Sequence, residues 1–414
     1  MLQVEHTDVL VLGGGPAGIS AAVAAASQGL QVCLVERHPY LGGKATSAEV
    51  GTVCGLYKFS KDEDSAYIVK GFAHEFAERL RALSATAPLH NRMGLHYLPY
   101  NITAFKQLCE EMLEQYRVQV CYNSIPYKVD VQDNKVQALF INEGGKDVQV
   151  NLQTIIDCSG ESIVSQLTDA PTIRSEHYQA AAQVFTLRNV QEDCETRLGM
   201  ILLKELKSGI NKKLLDHYFD RVYVVQGSLR NGRVSLKLGL PLPVTHTHEN
   251  LESLQKMAHA FVEELTAYLV AHVPVFRNAE IEHVAPEVGI RVGLRTNGKY
   301  VLTEEDVLSC RKFDDAIANA SWPIEEWGLD KRVKMRFFNI DDYYQVPASC
   351  LQSDHISNLF VGGRNISATN GAIASARVMG ICLQTGYAAG SLAAAQVLGI
   401  CDKEMIQNIQ YAQL

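Results

Sequence analysis

The sequence predicts an α/β protein: a Rossmann-like domain with a parallel sheet, carrying an inserted α+β domain built on an antiparallel sheet. Three observations predict it. Residues 8–36 read DVLVLGGGPAGISAAVAAASQGLQVCLVE, which is an apolar strand, a glycine turn, an alanine-rich helix and a second strand ending in an acid. Residues 154–160, TIIDCSG, and 359–363, LFVGG, are two further apolar strands that run into glycine. Between them, residues 171–344 place strand-like runs such as VYVVQG and RVSLKLGLPLP beside a long helical stretch at 250–273. Strands alternating with helices imply a parallel sheet, and clustered strands an antiparallel one.

Taken in order, residues 8–12 are almost continuously apolar, as a central strand buried on both faces must be. Gly13-x-Gly15-x-x-Gly18 follows. Gly13 permits the tight turn, Gly15 lets backbone approach a pyrophosphate, and Gly18 allows close helix–strand packing. Pro16 and Ala17 open a helix whose free N–H groups and positive dipole end suit the same pyrophosphate. Glu36, 18 residues after Gly18, closes strand 31–35 and can accept ribose hydroxyls. Residues 67–84 and 105–116 show apolar positions at helical spacing, the second feeding strand 118–122. Residues 128–130 and 136–141 flank Asp133-Asn134, a hairpin. The domains expected are a discontinuous nucleotide domain (1–60, 100–170 and 345–414), a helical insertion (61–99) and a substrate domain (171–344).

Composition narrows the class. The chain has 414 residues, a formal net charge of -8 and ten cysteines with no CxxC pair or metal-ligand spacing. This argues against a nucleic-acid partner, a zinc or iron–sulfur site and a disulfide scaffold. A reduced, cytoplasmic setting is expected, and Glu5 and Asp8 near the start do not suit a signal peptide. Residues 380–398 are long enough to span a membrane. They are mostly Ala and Gly with Gln384, Ser391 and Gln396 among them, so a buried helix is expected.

After Glu36 the chain reads RHPYLGGKAT. Here it resembles flavoproteins with the glutathione-reductase-like fold, whose FAD segment ends in an acid, a short loop and GG-x-x-T/S. The resemblance implies FAD, held by Arg37, Gly42, Gly43, Lys44, Ala45 and Thr46, with Ile125 also in contact. Ser159 and Gly160 match that fold's second FAD motif, and Gly363 and Arg364 its third. Residues 288–307, VGIRVGLRTNGKYVLTEEDV, are similar to the broad FAD-dependent oxidoreductase family pattern G-x-R-E-(S/T)-R-R-x-x-G-x-Y-x-L-T-x-x-D-V. Val292 and Leu294 depart from its usual Glu and Arg, leaving Arg291 and Arg295. Residues 367–379, SATNGAIASARVM, lie over the family's S-A-x-H-E-A-x-x-S-x-R-V-M, with Asn370 where His is common.

The resemblance implies a helix N-terminus aimed at the flavin N1/O2 edge, and Gly371, Ala372 and Ile373 are the expected donors. Asn370 either orients a substrate carbonyl or caps that helix. Arg291 and Arg295 either clamp a substrate carboxylate or flavin carbonyl, or pair with nearby acids. Cys54 reads as a flavin-side thiol or an inert buried one, and His96 and Tyr57 as proton donors or as satisfied structural groups. Trp322 and Trp327 are expected to pack. The function implied is hydride transfer between a small organic substrate and FAD N5. NAD(P)H or O2 is a candidate co-substrate, and no metal is expected. The alternatives are a flavin monooxygenase using NAD(P)H and O2, or a non-redox FAD-containing ligand-binding protein.

Overall fold

The computed structural model describes residues 6–175, 178–329 and 333–414. Strand His6–Leu12 lies inside a seven-stranded sheet, parallel to Val32–Val35 on one side and to the second half of Lys146–Asp157 on the other. Gln119–Cys121 extends the sheet beyond Val32–Val35. Leu359–Val361 pairs in parallel with residues 155–157, completing the sheet with chain from some 200 residues further on. The first half of Lys146–Asp157 instead pairs antiparallel with Lys135–Glu143, which pairs with Ser124–Gln132. The expected hairpin turn is there: Asp133 and Asn134 have φ of 50° and 57°, both in the left-handed region that a tight two-residue turn requires.

The alanine-rich helix Pro16–Ala26 packs against the closing helix Met379–Leu398. A Cβ at Gly386 would lie 2.1 Å from the Ala17 carbonyl oxygen, and one at Gly390 would lie 2.2 Å from that of Ala21. The small residues of the closing helix therefore serve helix–helix approach. No single helix among the described residues is long and apolar enough to cross a membrane. Asn370–Ala376 and Met379–Leu398 qualify only together, and they bend by 96°.

The inserted domain is a four-stranded antiparallel sheet in the order Val222–Val224, Val234–Gly239, Ala182–Arg188, Glu280–Val284. Phe185, Leu187, Leu236 and Leu238 on one face share a core with Leu198 and Leu202 of helix Glu195–Asn211 and Leu265 and Leu269 of helix His248–His272. Strand alternation then turns Val184 and Lys237 to the other face. The long helix begins at His248 because the Thr247 hydroxyl caps the Asn250 N–H, and it ends before Pro274.

Segment 61–99 holds helix Gly71–Ser84 and also strands Leu89–His90 and His96–Pro99, which join Thr52–Cys54 in a three-stranded sheet. The helix starts four residues later than its apolar spacing suggests. Residues 67–68 are used instead in a ladder with 56–57, where Tyr67 bridges Tyr57 and the Ile68 N–H donates to the Leu56 carbonyl.

Candidate active site

A cavity of about 520 Å³ opens between the glycine turns of the parallel sheet and the inner face of the inserted sheet. Two helices begin on its wall, Pro16–Ala26 behind Gly15 and Met379–Leu398 behind Val378. Neither has a side-chain cap or an acid in its first turn. The leading N–H groups of both lack an intrahelical acceptor, so two positive dipole ends are turned on one space.

At one end, Glu36 organises the backbone. Its Oε2 accepts the Gly14 N–H at 2.7 Å and its Oε1 the His38 N–H at 2.9 Å, while the Gly42 N–H donates to the Gly14 carbonyl at 2.8 Å. The Thr46 hydroxyl donates to the Leu41 carbonyl at 2.7 Å and closes the Gly42-Gly43 turn from behind. A Cβ on Gly43, whose φ is +51°, would come within 2.9 Å of the Gly15 Cα, so the two glycine turns touch through bare backbone. A Cβ on Gly160 would lie 2.0 Å from Arg364 Nη2, and Arg364 Nη1 is anchored 2.6 Å from the Ile290 carbonyl of the inserted domain.

At the mouth, Glu287 of the inserted domain takes ion pairs from Arg37 at 2.9 Å and Lys44 at 2.8 Å. Burial alone would raise the Glu287 carboxyl. The His38 hydrogen bond and the Lys44 and Arg37 charges outweigh it and hold the group well below the usual carboxylate range. Burial pushes the Lys44 ammonium down to about 8 against the pull of Glu287.

The other end carries charge of a different balance. Lys237, Arg291, Arg377 and Glu325 all line the cavity around Trp327. The Arg291 guanidinium lies 4.5 Å and the Lys237 Nζ 4.7 Å from the Trp327 ring centre. Glu325 accepts the indole N–H of Trp322 at 3.1 Å and of Trp327 at 2.9 Å. Burial works against the Glu325 charge, but Arg377, Lys237 and Arg291 keep its carboxyl below the ordinary value. Burial, reinforced by Arg291, pushes Lys237 down to about 8. Burial also pulls Arg291 down, yet a delocalised guanidinium stays charged there.

Of the residues singled out by sequence, Gly13, Gly15, Pro16, Ala17, Glu36, Arg37, Gly43, Lys44, Ala45, Ile125, Ser159, Gly160, Gly363, Arg364, Arg291 and Cys54 line this cavity. Gly18, Gly42 and Thr46 stand behind its wall; a Cβ on Gly18 would meet the Gly13 carbonyl oxygen at 1.7 Å. The others fall elsewhere. Gly371, Ala372 and Ile373 belong to the short helix Asn370–Ala376, which stops before the chain bends. The residues of this stretch that line the cavity are Arg377, Val378 and Met379, where the next helix begins. Asn370 does not cap its helix, because Thr369 does; its Oδ1 accepts from Arg295 Nη2 at 2.7 Å. Arg295 has no exposed surface and is not among the residues that line the cavity.

His96 is buried, with Nδ1 2.7 Å from the Ser65 hydroxyl and Nε2 3.0 Å from the Ser60 carbonyl. Tyr57 is buried against Tyr67 at 3.3 Å. Both ring systems are satisfied structural groups away from the cavity. Burial, aided by Glu325, pushes the Cys54 thiol up to about 12, so it is protonated at neutral pH and lines the wall without thiolate chemistry. The family-like pattern after Arg295 is structural too. Thr303 and Asp306 form a capping box, and the Tyr300 hydroxyl donates to Asp306 at 2.9 Å.

Lys237, Glu325, Trp327, Arg377, Val378 and Met379 were not legible as site residues. For Lys237 a signal exists: it is the lone charge in the alternating run VSLKLG, hence the polar face of a half-buried strand. Glu325 between two tryptophans, WPIEEW, is a second such signal.

The anhydrotetracycline hydroxylase OxyS from Streptomyces rimosus superposes with a TM-score of 0.51 at 10% identity, over 98% of this chain and 65% of that one. CabE, an aromatic hydroxylase from angucycline biosynthesis, gives 0.53 at 11% identity, over 98% and 65%. This chain thus spans about two thirds of the length of both, and the likeness is one of fold. A geranylgeranyl bacteriochlorophyll reductase-like protein from Thermoplasma acidophilum gives 0.47 at 15%, over 98% and 83%. The sequence profile described as FAD dependent oxidoreductase matches residues 8–414. The bare-backbone contact of Gly15 with Gly43 and the two uncapped helix starts fit that cofactor, and the chain belongs to the FAD dependent oxidoreductase family.

Proposed function

We propose that the cavity holds FAD in the glutathione-reductase-like arrangement, and that the enzyme moves a hydride between a small organic substrate and the flavin. The observation that carries this is the pair of uncapped helix N-termini opening on one cavity whose first wall ends in Glu36. Glu36 would take the ribose hydroxyls with the lone pairs its backbone contacts leave over. The leading N–H groups of Pro16–Ala26 would take the pyrophosphate, and the Gly15–Gly43 contact leaves room for it. The N–H groups at Val378 and Met379 would face the electron-rich edge of the ring. FAD, when bound, supplies a two-electron carrier that accepts or returns a hydride.

The remaining work falls to the chain itself. Ala182, Val184 and Trp327 of the inserted domain cover the ring side of the cavity and keep water from it. Lys237 Nζ lies beside Arg291 over Trp327 and would meet a substrate held at that end.

The test is direct. The purified protein should carry a visible oxidised-flavin spectrum, and Glu36→Ala should lose the flavin while remaining folded by circular dichroism. Anaerobic mixing with a panel of metabolites or NAD(P)H should bleach that spectrum. Failure to bind FAD sinks the reading; oxygen incorporated into a product makes the enzyme a monooxygenase instead.

A further inference from the structure

The charges at the Trp327 end of the cavity do not balance. Lys237, Arg291 and Arg377 contribute three positive groups and Glu325 one negative, which leaves two positive charges uncompensated among the described residues. None of the three cations lies within ion-pair distance (4.0 Å) of a carboxylate among those residues. Each is fastened by other means. Arg291 donates one N–H to the Ala180 carbonyl and stacks on Trp327. Arg377 Nη2 donates to Gln179 Oε1 at 3.1 Å and to the Glu325 carbonyl at 3.3 Å, and its Nε is buried without a partner. Lys237 lies over Trp327 and has no hydrogen-bond acceptor among the described residues.

Holding three like charges at one end of a cavity, out of bulk water, is costly unless an anion is present. The single acid nearby offsets one of the three charges and touches none of the cations through its carboxylate. Both Glu325 carboxylate oxygens are turned to indole N–H groups, so Glu325 fixes Trp327, on which Arg291 and Lys237 rest, together with Trp322. The mouth of the same cavity shows the contrast, since there Arg37 and Lys44 share Glu287 in direct contact.

We propose that this end binds the anionic group of the substrate, a carboxylate, with Arg291 and Lys237 as its direct partners and Arg377 behind them. The substrate class is then organic acids, with the carbon to be oxidised or reduced held beside the carboxylate. A fixed guanidinium with N–H groups to spare suits a planar carboxylate, and an ammonium without an acceptor completes the clamp.

The proposal rests on the reading that this cavity is the reaction chamber, and the test keeps the two apart. Flavin content of each preparation reports on the cofactor reading. Acid binding is followed by calorimetry, which needs no flavin, and by the flavin visible spectrum where flavin is present. Acetate, succinate and benzoate are titrated against acetamide, succinamide and benzamide, with inorganic phosphate as a separate arm. At least one acid should bind while its amide does not. Arg291→Gln and Lys237→Gln should each weaken that binding about tenfold or more, with flavin content unchanged and Arg291→Lys restoring part of it. Amides binding as well as acids, no acid binding at all, or phosphate alone binding would each overturn the carboxylate assignment. So would variants that shift the flavin reduction potential yet leave acid binding intact, because the cluster would then serve the flavin itself.

Discussion

Arg295 Nη2 donates to Asn370 Oδ1 at 2.7 Å, with the Ser175 hydroxyl 3.1 Å from Nη1. The guanidinium has no exposed surface and no carboxylate partner among the described residues, and its Nε meets no acceptor. Asn370 is thus an acceptor for a buried cation. Asn370→Ala should cost about 1.5–3 kcal/mol of stability in chemical denaturation, the usual loss for a hydrogen bond to a charged group. Asn370→Asp should recover it. Flavin content should stay unchanged in both; a loss of flavin would return Asn370 to the site.

Gly386 should tolerate no side chain. Its Cβ would stand 2.1 Å from the carbonyl oxygen of Ala17, in the first turn of the fingerprint helix. Backbone on one side and a long buried helix on the other leave nothing flexible to yield. Gly386→Ala should destabilise by about 1–3 kcal/mol and raise the rate of flavin loss, while Gly399→Ala, with nothing near its Cβ position, should leave flavin retention alone.

Acid binding should weaken as pH rises through about 8, where Lys237 loses its proton. The charged groups facing it are Arg291 and Arg377, which favour the neutral form, and Glu325, which favours the charged one. Burial is the larger cause, so the folded lysine releases its proton below its unfolded value of about 10.4. Lys237 therefore subtracts stability at neutral pH, and stability rises with pH between about 8 and about 10.4. Binding titrations across that range should show the step in the wild type and a flat profile in Lys237→Gln.

Cys54 should be silent toward thiol chemistry. With its thiol at about 12, roughly one part in 100,000 is thiolate at neutral pH. Iodoacetamide at neutral pH should leave both flavin spectrum and turnover unchanged, and Cys54→Ser should behave as the wild type. Inactivation that substrate protects against, absent in the Ser variant, would overturn this.

Much of the nucleotide half was readable because its logic is local. The strand, Gly13-x-Gly15-x-x-Gly18 and Glu36 are consecutive, and Asp133-Asn134 fixes its hairpin within two residues. The glycine pair at 42–43 and the strand ends at Gly160 and Gly363 line the same cavity wall or its backing, as their motifs suggested. The break of 96° between Asn370–Ala376 and Met379–Leu398 was not legible, because packing imposes it. In particular, Gly380 sits on the Gly55 backbone, where a Cβ would come within 2.5 Å. The deep cluster was unreadable for a related reason. Lys237, Arg291, Glu325 and Arg377 come from four separate segments that meet only on the wall of the folded cavity.

Leu359 pairs with Ile155, 204 residues earlier in the chain. During synthesis, the first strands, the meander and the whole inserted sheet leave the ribosome before the strand that completes their neighbour. The helix that backs the fingerprint follows later still. Until those last segments arrive, the alanine-rich helix has an uncovered flank and the cavity lacks one of its two dipole ends. The Leu359–Ile155 pairing closes a loop of two hundred residues, so this edge of the sheet should form late in folding, after the local pairings of the first strands and the meander.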